Sequence, residues 1–352
     1  MKTWWTGGNV FHSRFGRAPG SKTANRWSGY EPQTELNYVV MSFTVVPLQN
    51  LSLPASTRIP FGNGFFLRDV PQWVKKDKGI LGDIYYHDRQ AILDAKHALV
   101  AEYDAKAIGE PDPSWSGKSP RSIQDSKTEA ALLGNLAIWL RQPSPIRFTV
   151  VLHALSWGVP GSEESVPIIQ RVEPRLPLWC LPNDVQNPVE KRHVVKAGEL
   201  HTVLCSIPRK NPVWTAMRAL WSALTTYEAD IRYSLLWIGL EALFGADDGG
   251  EIAYKLAQRI AFFLANTSED ARSLFKKAKL CYAMRSKIVH GRVIDDPKID
   301  ECMADTEGIA RTAFRHLLDK PELLKTFISN QRDSFLEEWV FSRSTDPPPC
   351  PK

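Results

Sequence analysis

Beyond Pro212 the chain turns helical in texture, with apolar residues recurring every three to four positions as far as Trp339. A period of that kind gives each segment one apolar stripe and no alternating face, so this part can bury itself only by stacking helices. The spacing predicts helices over 213–227, 231–244, 251–265, 268–290, 299–318 and 322–340. The preceding part reads differently. Residues 36–48 are dense in Val, Phe, Tyr and Thr and predict a buried strand, and Phe61-Gly-Asn-Gly-Phe65 carries an Asn-Gly turn signal between aromatic residues. Ile92, Ala95, Leu99 and Tyr103 predict a helix over 88–108, and Ala130, Leu133, Ala137 and Leu140 another over 122–141, ended by Pro143. A proline-rich loop is expected at 111–120, a strand at 147–157, and irregular surface or a covering arm at 159–188, where recurring prolines exclude a long helix or a central strand. Residues 194–207 read as a last strand pair turning at Ala197-Gly198-Glu199.

The expected fold class is therefore α+β. A mixed α/β region, residues 1–210, precedes an all-α helical bundle, residues 211–340, and a proline-rich flexible tail, 341–352. With 352 residues, 43% of them hydrophobic, both parts can bury a core. Five cysteines without a C-x-x-C pair argue against a disulfide framework or a zinc site and fit a reducing cytoplasm. No metal and no cofactor is expected. The longest uncharged apolar run, 38–48, is too short to span a bilayer, which predicts neither secretion nor a membrane span. A net charge of +5 is compatible with nucleic acid without requiring it.

The charge distribution says more than the total. From Ala271 to Ile294 there are seven Lys or Arg (Arg272, Lys276, Lys277, Lys279, Arg285, Lys287, Arg292) and no Asp or Glu, a segment that attracts polyanions. Within it the apolar stripe Leu274, Ala278, Cys281, Ile288, Val289 passes through Arg285, so that guanidinium is expected to face the core and to need a partner. Glu241 is the candidate, being the only charge in the apolar run from Tyr233 to Phe244. His290 ends the same helix, followed by Gly291 at a left-handed cap. Five residues rotate an ideal helix by roughly 140°, so Arg285 and His290 meet on one phosphate only if the helix ends at His290 or a second copy supplies the other half. A homodimer is the natural expectation.

The run Leu240-Glu-Ala-Leu-Phe244, then Glu251-Ile-Ala-Tyr-Lys-Leu-Ala-Gln-Arg259, then Tyr282-Ala-Met-Arg-Ser-Lys-Ile-Val-His-Gly291 resembles the ApeA-like branch of the HEPN superfamily, over about residues 212–340. The resemblance implies a helical bundle whose R-x4-H motif, here Arg285 and His290, forms a ribonuclease site across a dimer; Glu241 and Ser286 are the candidate supporting residues. It implies metal-independent cleavage of RNA through the 2′-hydroxyl, in the setting of prokaryotic abortive-infection or toxin systems. Lys276, Lys277, Lys279, Lys287 and Arg292 are the candidate RNA contacts. Ser286 stands where the superfamily motif often has Asn, Asp or His. The alternative is a HEPN module that binds a nucleotide, RNA or protein without turnover. A toxic effector needs control, so a regulatory ligand or trigger is expected at the N-terminal region. Glu190, His193, Glu199 and His201 lie close in sequence but lack helical metal-ligand spacing and read as a charged hairpin.

Overall fold

The computed structural model describes residues 41–342 apart from 56, 77–80, 83, 105–121, 156–167, 173–176, 246–250 and 292–297. The N-terminal segment, the loop at 111–120, Arg292 and the tail beyond 342 lie outside the described residues. A six-stranded sheet is built from β1 (Met41–Leu48), β2 (Arg58–Pro60), β3 (Phe65–Asp69), β4 (His97–Asp104), β5 (Val150–Leu155) and β6 (Ile168–Arg171). Its order is β2-β3-β4-β1-β5-β6, and every pairing is antiparallel.

Strand alternation divides the sheet between two cores. Val46, Leu48, Phe65, Leu67, Leu99, Ala101 and Val151 enter the larger one, while Val45, Ala98, Val100, Val150 and Leu152 enter the smaller. The smaller core is closed by α1 (Gln72–Lys76) and α2 (Tyr86–Asp94) through Val74 and Ile92. The larger is closed by α3 (Ile123–Arg141) and α5 (Lys191–Ser206), with the short α4 (Pro182–Val185) between them in sequence.

The hairpin at Phe61-Gly-Asn-Gly-Phe65 joins β2 to β3, with Gly62, Asn63 and Gly64 all at positive φ. Two other elements depart from their expected form. The helix expected over 88–108 ends at Asp94, and the apolar run after it is β4, paired along both edges to β1 and β3. A short apolar run has no decisive period of its own, and long-range pairing settles it. The strand pair expected at 194–207 is instead α5: Val194, Ala197, Gly198, His201 and Leu204 form one buried helical stripe. Gly198 is no turn; a Cβ there would stand 3.0 Å from Phe61 Cα and 3.0 Å from Pro60 O, so it lets the helix lie against the β2–β3 hairpin.

The C-terminal half is helical: α6 (Pro212–Leu224), α7 (Ala229–Phe244), α8 (Ile252–Leu264), α9 (Ser268–Val289), α10 (Lys298–Leu318), α11 (Pro321–Ile328) and α12 (Arg332–Ser342). The single helix expected over 322–340 is two, because Ser329 turns its hydroxyl back to Thr326 O and accepts from Gln331 N–H. Within the proline-rich arm, Trp179 donates its N–H to Leu224 O at 2.8 Å and accepts from the Trp139 indole at 2.8 Å, strapping α3 to α6. The larger core is continuous from Leu99 in the sheet through Trp139, Leu204 and Leu240 to Phe314 and Phe327. No helix among the described residues is long and apolar enough to cross a membrane.

Candidate active site

Helices α7 and α9 bring the candidate residues together because their apolar faces pack on each other. Tyr233, fully buried on α7, donates its hydroxyl to Cys281 O on α9 at 2.7 Å and lies 3.4 Å from the Thr306 hydroxyl of α10. One turn further along, Tyr282 sets its ring edge-on to buried Trp237, with centroids 5.1 Å apart. The Tyr282 hydroxyl donates to Glu241 Oε1 at 3.0 Å, and Arg285 Nη2 lies 3.3 Å from the same oxygen. Burial, and then the Glu241 charge, raise the Tyr282 phenol above its ordinary value, with Arg285 opposing, so it stays a donor.

Arg285 and Glu241 are thus one unit. They lie shallower than the stripe implied, with 24% and 28% of their side chains exposed, so the pair reaches solvent at one edge instead of being sealed in the core. Arg285 Nε is buried and donates to nothing among the described residues, which leaves this guanidinium with hydrogen-bonding capacity beyond Glu241.

His290 is the C-cap residue of α9; its N–H donates to Ser286 O at 3.2 Å, and Gly291 follows at φ +65° with its N–H on Ile288 O. The helix therefore ends at His290 with a glycine in the left-handed region. The imidazole is exposed and makes no hydrogen bond or ion pair among the described residues. Ser286 is half-buried.

The candidate RNA contacts separate. Lys276, Lys279 and Lys287 are exposed on α9, whereas Lys277 is tied to Asp305 of α10, Nζ to Oδ1 2.7 Å, and that hydrogen bond raises its ammonium above the ordinary value. Tyr282 was not singled out by its type, yet its place three residues before Arg285, on the same helix face, was available in the sequence.

The charged cluster before residue 210 has a structural use. Glu190 caps α5, its N–H donating to His193 Nδ1 at 3.2 Å. His201 is buried between Phe61 O, 2.8 Å from Nδ1, and Ala130 O, 2.7 Å from Nε2. Burial lowers its pKa. A second buried histidine, His153, stands 2.9 Å from the Thr44 hydroxyl and is pushed down to about 4 by burial. Both imidazoles are packed inside the core. No protein-family model, no curated protein and no solved structure matches the chain.

Proposed function

We propose that the chain is a HEPN-type endoribonuclease that cuts RNA without a metal, as the effector of a prokaryotic defence system of the abortive-infection or toxin kind, and that it works as a homodimer in the cytoplasm. The observation that carries this reading is the partly buried guanidinium of Arg285, paired with a Glu241 that Tyr282 also holds, close to the end of a helix that closes on an exposed His290. His290 takes the proton of the ribose 2′-hydroxyl, and the oxygen attacks the adjacent phosphorus. Arg285 stabilises the charge that develops on the phosphorane. The P–O5′ bond breaks, leaving a 2′,3′-cyclic phosphate and a 5′-hydroxyl. DNA lacks the internal nucleophile and is spared.

Arg285 and His290 point about 140° apart on one helix, so the second copy supplies the missing half of each site, including the group that protonates the leaving oxygen. The same divergence favours the second reading, a binding module in which Arg285 is only a member of an ion pair. Purified protein in excess EDTA separates them. The nuclease cuts RNA, and His290→Ala abolishes cutting while circular dichroism is unchanged; intact RNA from the wild type under activating conditions leaves the binding module. Arg285→Ala adds a control, because an ion pair this exposed is worth about 1 kcal/mol or less, and the variant should fold and be inactive.

A further inference from the structure

Helix α9 carries its cations in a line. Arg272, Lys276, Lys279 and Lys287 follow at steps of four, three and eight residues, and His290 comes three residues after the last. At about 3.6 residues per turn these steps return each residue to nearly the same side of the helix. All five are exposed, as is Ala283, which occupies the uncharged position of the line. Lys277 and Arg285 are turned well away from it, to Asp305 and Glu241.

At about 1.5 Å per residue the line is about 27 Å long, and its first two steps are about 6 and 4.5 Å, the scale on which phosphates follow one another in an extended strand. Arg272, Lys276 and Lys279 make no ion pair or side-chain hydrogen bond among the described residues. An ordinary solvated face mixes both signs of charge, whereas here the acids, Glu269 and Asp270, are confined to the first turn. A second observation points the same way. Tyr254 of α8 is 45% exposed and meets Phe275, the neighbour of Lys276, edge-on at 5.2 Å, so an open aromatic ring borders the cations. Cations in a line beside an open aromatic ring supply the two contacts, to phosphate and to base face, by which single-stranded nucleic acid is held.

We infer that this line is a track for single-stranded RNA. Its phosphates rest on Arg272, Lys276, Lys279 and Lys287, a base stacks on Tyr254, and the strand leads along α9 to His290. The inference rests on the nuclease reading for the position of the cut. A duplex fits poorly, because its base faces are already covered.

The test is anisotropy of a short fluorescein-labelled oligouridine bound to full-length His290→Ala protein across a range of KCl. Four phosphate contacts predict a slope of log affinity on log salt of about −2.8, at about 0.7 per contact. The triple variant Arg272→Ala, Lys276→Ala, Lys279→Ala should bring the slope to about −0.7 and weaken low-salt binding about tenfold or more. Tyr254→Ala should weaken binding about fivefold or more and Tyr254→Phe should not. Lys277→Ala should leave it unchanged. A slope that the triple variant does not alter, or a loss in Lys277→Ala equal to that in Lys276→Ala, overturns the track. If the triple variant loses its helical circular dichroism, the single substitutions serve, each lowering the slope by about 0.7. Binding is read without turnover, so the two readings fail separately. Track-dependent binding by a wild type that never cuts removes the nuclease alone, and equal cutting by the wild type and the triple variant at subsaturating RNA removes the track alone.

Discussion

Glu307, with 1% of its side chain exposed on α10, is a buried acid that the proposed chemistry does not use. Burial lifts its carboxyl to about 7, against the pull of Arg311, whose Nε stands 3.0 Å away. The unfolded chain titrates the same group near 4.5. Its contribution to stability is therefore complete below that value and is lost as pH rises to about 7, a change of about 3 kcal/mol. Glu307→Gln should gain on the wild type by about 2 kcal/mol more at pH 8 than at pH 5, read as urea unfolding free energies; an equal difference at both would count against the assignment. Taking the difference also cancels the opposite, acid-side loss from His153. At the candidate site, Glu241→Gln keeps an acceptor for Tyr282 but no longer holds Arg285 by charge. It should slow single-turnover cutting about 10²-fold and shift stability by about 1 kcal/mol at most. This pairing was legible in the sequence because Glu241 is the lone charge of an apolar run and Arg285 interrupts an apolar stripe. The binding of Lys277 by Asp305 was not, since no local pattern reports a partner on another helix.

Among the elements, α5 shows how one glycine can be read in two ways. In sequence Gly198 looks like a turn, whereas in the fold it removes the side chain that would strike the β2–β3 hairpin. Gly198→Ala should therefore destabilise the protein by about 1–3 kcal/mol, despite alanine's better helix propensity, and a rise in melting temperature would contradict the close approach. The buried stripe of α5 was present in the sequence at helical spacing; the charges at Glu190, Lys191 and Arg192 and the glycine obscured it. The helices from α6 to α10 were legible to within about three residues because each keeps one period over more than two turns, whereas the break between α11 and α12 was missed because no proline or glycine marks it. Helix α9 starts and stops as its signals say, at Thr267, whose hydroxyl accepts from Asp270 N–H, and at Gly291. Strand β4 was hidden because an apolar run of its length satisfies either period until its neighbours are known.

At the scale of the whole molecule the change of texture near residue 210 is a seam in the sequence that the core crosses. Leu132, Leu133 and Leu136 of α3 line the same small cavity as Trp214 and Met217 of α6, and Arg141 of α3 forms a two-pronged ion pair with Asp319 at the end of α10. A fragment starting at residue 211 would expose that apolar face to water. It should bind a hydrophobic dye and lose near-ultraviolet dichroism; a monodisperse fragment with native tertiary signals would show that the bundle stands alone. The phenol of Tyr233 seizes a carbonyl in the middle of α9, the one to which the Arg285 N–H also belongs by helical register. That shared oxygen fixes α9 along its own axis like a pawl in a gear. Sliding by a turn would strand a buried hydroxyl, so α9 keeps its register on α7, and in the proposed nuclease a trigger would have to govern how two such helices come to face each other.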